Sequence, residues 1–366
     1  MLYYLYLNFV DSYTFLNIFQ YITFRSFLAG SISFLTVMFL TPRFIKIFTV
    51  NKVTENISQF LETTHKQKSG TPNMGGIVIA IAVILSCLVC GKFYKSLSDY
   101  PIYPFLICLI TYIVFALSGF FDDYIKLKNG SGLPLFKKLF LQILLTIILV
   151  IVLYQSNIFF SQGLTTISFP FTKAVLDLGL IYFIFCFLVI IGSANAVNIT
   201  DGLDGLATGS IISTVSALIV IAYIIGSPLY AGYLYVPFVG GVAEITIFLS
   251  AILGAMLAFL WFNSNPAQIF MGDVGSIPLG ASIGIVSILI KQEILLLILG
   301  GVFVIEALSV IIQIISFRFF GKRFFLIAPI HHHFEKKGVV ESKIVIRFWI
   351  ISILLALFAI ATLKIR

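Results

Sequence analysis

The chain has 366 residues, of which 60% are hydrophobic and only 10% are charged, and this composition excludes an ordinary soluble domain. The net charge of +8 does not indicate nucleic acid as a partner, because the basic residues lie beside long apolar runs, where positive cytoplasmic loops explain them better. Several runs reach the roughly 20 residues that cross a bilayer core. The sequence therefore predicts an all-α integral membrane protein with a single polytopic domain over residues 1–366.

Ten transmembrane helices are predicted along the chain. They cover approximately residues 24–48, 75–91, 101–121, 137–154, 174–194, 205–225, 243–263, 276–291, 294–317 and 343–363. The N-terminal segment before them is rich in Tyr, Phe and Leu and is expected to lie along the membrane interface. The mixed segment 155–171 is expected to contain a short hairpin. No cleavable signal peptide is expected, because Arg25 is the first basic residue.

The distribution of basic residues predicts the orientation. Most of the 23 Lys and Arg residues fall in loops after the odd-numbered spans, so these loops are expected to be cytoplasmic and both termini to face out. Lys364 and Arg366 at the C-terminus count against this orientation. All the polar motifs fall on the predicted cytoplasmic side. They lie at 65–76, 122–126, 195–204, 263–276 and 329–335.

Two neighbouring carboxylates follow the third span. If the helix continues, Lys126 lies on the same face as Asp122 and Asp123. A helix-end ion pair is one explanation of this group. A site for Mg²⁺ and phosphate is the other, because Mg²⁺ prefers oxygen ligands and keeps substrate phosphates in its shell.

Further carboxylates lie next to glycines. Asp201 and Asp204 are expected on one face of a helix that begins near Thr200, where a simple N-cap is the alternative. Asp273 lies in a Gly-flanked turn at the expected start of another helix, and a cap explains it as well as metal binding does.

Three consecutive histidines, His331 to His333, raise the possibility of zinc. Consecutive residues on a helix point about 100° apart, so donors to phosphate or sugar are the better interpretation. The segment 65–76 has the composition of an anion-binding loop but is not a Walker A motif. Glu306 and Gln313 lie inside a predicted span, either as buried hydrogen-bonding residues or as functional ones.

Together these motifs resemble the polyprenyl-phosphate N-acetylhexosamine-1-phosphate transferase superfamily, and specifically its phospho-N-acetylmuramoyl-pentapeptide transferase branch. The motifs occur in the family's order. They are His-x-x-Lys-x-Gly-Thr-Pro-x-Met-Gly-Gly, Asp-Asp, Asn-x-Thr-Asp-Gly-Leu-Asp-Gly, Phe-Met-Gly-Asp-Val-Gly-Ser and the branch-specific Pro-Ile-His-His-His-Phe-Glu. Asn73 departs from the Thr that is usual in the family. The alternatives are a sister transferase that uses UDP-N-acetylglucosamine and a secondary transporter, although no internal repeat supports a transporter.

The resemblance implies transfer of phospho-N-acetylmuramoyl-pentapeptide from its UDP carrier to undecaprenyl phosphate in the bacterial cytoplasmic membrane, with release of UMP and formation of lipid I. It implies Mg²⁺ as cofactor, with Asp273, Asp122 and Asp123 as the metal-binding and catalytic residues. It also implies a substrate-binding set. This set is Lys68, Asn198, Asp201, Asp204, Asn263, Phe270, Gln313, His331, His332 and His333. Direct attack by the lipid phosphate and a covalent intermediate both stay open, and so does a homodimer.

Overall fold

The computed structural model describes residues 1–50, 70–93, 102–155, 163, 165–172 and 174–365. Most of these residues are α-helical, and a short antiparallel hairpin joins two of the helices. The helices are α1 (Leu2–Phe9), α2 (Ile22–Val50), α3 (Gly76–Cys90), α4 (Tyr103–Asn129), α5 (Leu135–Gln155), α6 (Ile181–Thr200), α7 (Leu206–Ile225), α8 (Pro228–Leu234), α9 (Ile245–Asn263), α10 (Asp273–Leu289), α11 (Glu293–Leu299), α12 (Gly301–Phe320), α13 (Ile330–Lys336) and α14 (Glu341–Thr362). The strands are β1 (Thr166–Ser168) and β2 (Val175–Asp177).

Within the described ranges, 8 helices are long and apolar enough to cross a membrane. They are α2, α4, α5, α6, α7, α9 with the 3-10 turn that precedes it, α12 and α14. Each overlaps one of the predicted spans. The prediction of an all-α membrane protein is therefore confirmed at this level.

The two remaining predicted spans, 75–91 and 276–291, correspond to α3 and α10, which are apolar but shorter. At a rise of 1.5 Å per residue they are about 22 and 26 Å long, less than the roughly 30 Å of a bilayer core. The total of ten crossings, the outward-facing termini and the cytoplasmic loops stay predictions.

Two predicted helix boundaries were wrong. The third span was expected to end at residue 121, but α4 continues to Asn129 and ends at Gly130, whose φ of 74° is left-handed. Lys126 and Lys128 lie in its last turn, where positive charge stabilises the negative end of a helix dipole. The fifth span was expected from residue 174, but β2 occupies that position and α6 begins at Ile181.

The predicted span 294–317 is two helices. α11 ends at Leu299 and α12 begins at Gly301, with Gly300 between them. A glycine inside an apolar helix lowers the cost of such a break. Gly300 lines an apolar groove between helices.

Two buried helices organise the packing. α9 packs against α2, α3 and α7, and α10 packs against α4 and α6. α10 approaches α4 closely because Gly119 has no side chain: a Cβ there would lie 2.3 Å from the carbonyl oxygen of Asp273. This contact places the end of α4 that carries the paired aspartates beside the start of α10.

The end of the bundle opposite the candidate site has its own polar contacts. Arg25 donates to both carboxylate oxygens of Glu244, at 2.9 and 2.7 Å, and the pair is buried. The hairpin that was expected in 155–171 begins at Thr166 and its second strand lies beyond that segment. Hydrogen bonds from the Thr165 hydroxyl and the Gly179 N–H hold the pKa of Asp177, at the end of β2, below its ordinary value.

Candidate active site

Three of the polar motifs meet at the N-terminus of α10. Asp123, on α4, accepts a hydrogen bond from the Val274 N–H at 2.9 Å, so its carboxylate caps the positive end of α10. The described part of the 65–76 motif runs alongside residues 270–272. In this pairing the Phe270 N–H donates to the Pro72 carbonyl at 2.9 Å, and the Gly75 N–H donates to the Phe270 carbonyl at 2.8 Å.

Asp273, the first residue of α10, is the centre of a group of polar side chains. The Asn198 Nδ2 lies 2.5 Å from Asp273 Oδ1 and 2.9 Å from the Ser276 Oγ. On the other side, the Lys138 Nζ donates to Asp273 Oδ2 and lies 3.0 Å from Asp122 Oδ2. The carboxylates of Asp122 and Asp273, which come from different helices, therefore share one ammonium group.

The exposed fractions show from which side this centre is reached. The Asp122 and Asp123 residues are 7% and 3% exposed, whereas the side chains of Asp273 and Lys138 are 23% and 16% exposed. Both oxygens of Asp122 are engaged, because the Leu133 N–H donates to its Oδ1 at 2.6 Å. A ligand would therefore meet Asp273 and Lys138 first, with the paired aspartates behind them.

The Asp201–Gly205 turn lies beside this centre, and its structure corrects a prediction. No helix begins near Thr200: α6 ends there, and α7 begins at Leu206. Asp201 and Asp204 therefore lie in a turn and not on one face of a helix. The two glycines of the turn explain the difference, because glycine favours an interruption of helical backbone.

Asp204 and Asn263 are buried and fix neighbouring loops. Asp204 Oδ2 accepts a hydrogen bond from the Ala267 N–H at 3.0 Å. Asn263 accepts from the Thr208 hydroxyl at 2.7 Å and donates to the Ile269 carbonyl at 2.9 Å. With exposed fractions of 3% and 2%, these two residues lie in the protein interior and hold the loops of the site in place.

The three histidines lie on α13 and point to three different partners, as the helical spacing predicts. His331 Nδ1 lies 3.0 Å from Glu306 Oε2, and His332 Nδ1 lies 2.5 Å from Glu335 Oε2. His333 Nδ1 accepts a backbone N–H from the preceding loop at 3.1 Å. The structure brings His331, which is fully buried, into contact with the Asp201–Gly205 turn.

The other predicted binding residues lie at the edges of the site. Gln313, on α12, holds the backbone of Phe325 by two hydrogen bonds, of 3.2 and 2.8 Å. Phe270 is partly buried beside the 70–76 segment. Lys68 lies outside the described residues, so its predicted contact with substrate stays a prediction.

Sequence reasoning missed three residues of this region: Lys138, Ser276 and Glu341. Glu341 accepts a hydrogen bond from the Asp204 N–H at 2.9 Å. A signal for Lys138 was available, because it lies in the first turn of α5, where a positive charge is at the unfavourable end of the helix dipole. Ser276 gave no comparable signal, since serine is common near helix starts.

The side chains that surround Asp273 fit a divalent cation. Asp122 and Asp273 already share one cationic group, and Mg²⁺ is usually held by one or two carboxylates together with substrate phosphates. In the part of the chain that the structure describes, no group of three or more His, Cys, Asp or Glu side chains could hold a metal ion by itself. An ion held here by Asp122 and Asp273 would need further ligands, such as the oxygens of a phosphate group.

An apolar groove of about 280 Å³ runs between α6, α10, α11 and α12. Val197 lines it, and the next residue of α6 is Asn198, which contacts Asp273. Glu293, on α11, lies among the other lining residues. The groove thus extends along α6 as far as the residue that precedes Asn198.

Comparison with known proteins gives the same family from two directions. The family model described as glycosyl transferase family 4 matches residues 105–291. Phospho-N-acetylmuramoyl-pentapeptide-transferases from Pelagibacter ubique and Aquifex aeolicus are each 46% identical to the chain, with complete coverage of both sequences. The protein of the same name from Desulfotalea psychrophila is 46% identical over 96% of each chain.

The matched segment of the family model contains Asp122, Asp123, Asn198 and Asp273, which lie around the N-terminus of α10. The full-length relatives extend the match over the histidine helix α13, which lies beyond that segment. The chain therefore belongs to the phospho-N-acetylmuramoyl-pentapeptide-transferase family, within glycosyl transferase family 4.

Proposed function

We propose that this chain transfers phospho-N-acetylmuramoyl-pentapeptide from its UDP carrier to undecaprenyl phosphate, releasing UMP and forming lipid I. The observation that carries the proposal is the meeting of Asp122, Asp273, Asn198 and Lys138 around the N-terminus of α10, next to the helix α6 that also lines an apolar groove. This reaction needs one site that is reached by both a polar nucleotide sugar and a membrane lipid. The names of the full-length relatives support the same activity.

In the reaction, an oxygen of the lipid phosphate attacks the phosphorus next to the sugar. The bond from this phosphorus to the bridging oxygen breaks, and UMP leaves with that oxygen and its electron pair. Negative charge therefore grows on the leaving phosphate. Lys138 lies where its ammonium group, shared between Asp122 and Asp273, would stabilise this charge.

Asp122 is proposed to orient the acceptor phosphate or to take its proton. Its position behind Asp273 and next to Lys138 supports this role. A covalent route, in which a carboxylate first takes the phospho-sugar, is the alternative. Incubating the purified chain with the UDP-sugar and no lipid acceptor separates the two. Direct attack leaves the protein unmodified, whereas a phospho-sugar trapped on the protein would support the covalent route.

Mg²⁺ is the proposed cofactor, with Asp273 and Asp122 as its protein ligands. When bound, the ion would neutralise the diphosphate and stabilise the leaving UMP. Asp123 contributes by a different route in this proposal, because its carboxylate is engaged at the N-terminus of α10. It thereby fixes the position of Asp273.

The proposed nucleotide-sugar site lies around the Asp201–Gly205 turn. Asn198, Asp201 and Phe270 are partly exposed and are proposed to contact the substrate, with Phe270 stacked on the uracil ring. His332 and His333 are partly buried on α13 and would donate to phosphate or sugar. Gln313 and Lys68 complete the proposed set.

The apolar groove is the proposed site of the lipid acceptor's hydrocarbon chain. Its lining from Phe185 to Val197 runs along α6 towards the polar centre, and apolar surface of this kind binds hydrocarbon. The centre is proposed to face the cytoplasm, where the soluble UDP-sugar is made. A second copy of the chain is a proposed additional partner in the bacterial inner membrane.

A direct test uses the purified full-length chain in detergent with undecaprenyl phosphate and Mg²⁺. UMP release and formation of a lipid-linked product are measured with UDP-N-acetylmuramoyl-pentapeptide and, separately, with UDP-N-acetylglucosamine. The proposal predicts turnover of the first nucleotide sugar only. Turnover of UDP-N-acetylglucosamine alone would contradict it, and so would the absence of UMP release from both.

A further inference from the structure

Glu306 is a carboxylate in the middle of an apolar helix. It lies in α12, is 0% exposed, and its Oε2 lies 3.0 Å from His331 Nδ1. Among the described residues its Oε1 makes no hydrogen bond. A buried carboxylate at this depth is unfavourable unless it is paired, so its contact with His331 is the feature that explains its presence.

The other ring nitrogen of His331 faces the Asp201–Gly205 turn. A Cβ placed on Gly202 would lie 2.4 Å from His331 Nε2, so the ring contacts the backbone of Gly202 directly. His331 is 0% exposed, whereas Gly202 itself is exposed. The ring therefore lies under the turn and is separated from solvent by it.

The far end of the turn is held by a different helix. The Trp349 Nε1 donates to the Gly205 carbonyl at 3.1 Å, and Glu341 accepts from the Asp204 N–H at 2.9 Å. Both residues lie on α14. His331 supports the turn at Gly202, next to Asp201, so the two ends of the turn have separate supports.

We propose that Glu306 and His331 form a positioning pair. Glu306 fixes the orientation of the His331 ring, and the ring holds the Asp201–Gly205 turn in the position that binding of the nucleotide sugar requires. His331 acts through the turn and does not contact the substrate. The kinetic part of this inference rests on the proposed transferase function. The arrangement of the pair and the turn does not.

Kinetic variants separate positioning from chemistry. Glu306→Gln keeps an oxygen that can accept from Nδ1, whereas Glu306→Leu and His331→Leu remove the hydrogen bond. The two leucine variants are expected to raise the KM for UDP-N-acetylmuramoyl-pentapeptide roughly tenfold with less than about a threefold change in kcat. Glu306→Gln is expected to stay within about twofold of the wild type. Ser287→Ala, which changes a fully buried polar residue of α10 whose hydroxyl donates to the Ile283 carbonyl of the same helix, is the control.

The double variant tests whether the two residues act as one unit. If they do, Glu306→Leu combined with His331→Leu raises the KM no more than either change alone. If the double variant instead raises the KM by the product of the two single effects, the two residues act independently and the pairing is wrong. A large loss of kcat in His331→Leu at unchanged KM would overturn the positioning role, because it would indicate direct participation in the reaction.

A second variant covers the case in which the leucine variants do not fold. Gly202→Ala adds a methyl group against His331 Nε2 on an exposed turn, and it is expected to raise the same KM roughly tenfold. An unchanged KM in Gly202→Ala would show that the contact does not position the turn, and would overturn the inference.

Tryptophan fluorescence gives a readout that needs no transferase activity. The sequence has 2 tryptophans, so Trp261→Phe leaves Trp349, which donates to the turn, as the single emitter. In that background Glu306→Leu is expected to shift the Trp349 emission and Ser287→Ala to leave it unchanged. Unshifted emission in Glu306→Leu would contradict the inference. A wild type that releases no UMP would instead refute the proposed function alone.

Discussion

The Asn198 carboxamide donates to the Asp273 carboxylate, with 2.5 Å between Nδ2 and Oδ1. Asn198 lies two residues before the end of α6, and Asp273 is the first residue of α10. The contact therefore joins the segment that leads into the Asp201–Gly205 turn to the start of the helix that Asp123 caps. A change at Asn198 is therefore expected to affect the polar centre directly.

Asn198→Leu is expected to lower kcat by roughly 10- to 100-fold, because Asp273 loses a donor that orients its carboxylate. The matched control is Asn195→Leu on the same helix, since Asn195 donates to Gln142 and not to the centre. Both variants are assayed by UMP release at saturating concentrations of the substrates and of Mg²⁺. Equal losses in the two variants would mean that the helix, and not the contact with Asp273, is responsible.

Lys138→Met is expected to lower kcat about 100-fold, because Asp122 and Asp273 lose their shared cation and the leaving phosphate loses a nearby positive charge. Lys137→Met is the control, since Lys137 is exposed in the same turn of α5. The two variants are compared by UMP release after purification. Full activity in Lys138→Met would exclude a role for this ammonium group in the transfer.

Ala307→Trp is expected to fill part of the apolar groove and to raise the KM for undecaprenyl phosphate about tenfold, with no change in the KM for the UDP-sugar. Leu257→Trp places the same ring at an exposed position of α9, on a different groove, and serves as control. Steady-state rates at varied lipid concentration measure the effect. A rise only in the KM for the UDP-sugar would place the lipid elsewhere.

Arg25→Leu is expected to reduce the free energy of unfolding by about 3 kcal/mol, because it leaves the Glu244 carboxylate buried without its partner. Thermal unfolding in detergent measures this, with Arg43→Leu on the same helix, at an exposed position, as control. The double variant Arg25→Leu and Glu244→Leu should recover most of the loss. No recovery would mean that packing, and not the unpaired charge, is responsible.

The long apolar runs predicted the helices well, because hydrocarbon solvent requires every backbone group of a spanning segment to be paired within a helix. They did not predict the break at Gly300, and they left open whether α4 continues past Asp122 and Asp123. Both depend on packing between helices. Gly119 lets α10 approach α4, and nothing in the local sequence identifies α10 as the neighbour.

The site was predicted in its residue types and less well in its contacts. Asp273 was expected at a helix start and is found there. Lys126 was expected on the same face as the paired aspartates if the helix continued, and α4 does continue past it. The ammonium group shared by Asp122 and Asp273 was not predicted and belongs to Lys138, on another helix. The local sequence of a short polar segment predicts the backbone structure of that segment. It does not predict ion pairs between helices, because these depend on how the whole chain packs.

The most direct test of the proposed transfer is the Mg²⁺ dependence of UMP release by the wild type and by Asp273→Asn, with Asp177→Asn, at an exposed position on β2, as the matched control. Mg²⁺-dependent transfer at Asp273 predicts saturable activation of the wild type by Mg²⁺, loss of activity in EDTA, and a drop of at least about 100-fold in Asp273→Asn. UMP release that persists in EDTA, or that Asp273→Asn leaves unchanged, would contradict it.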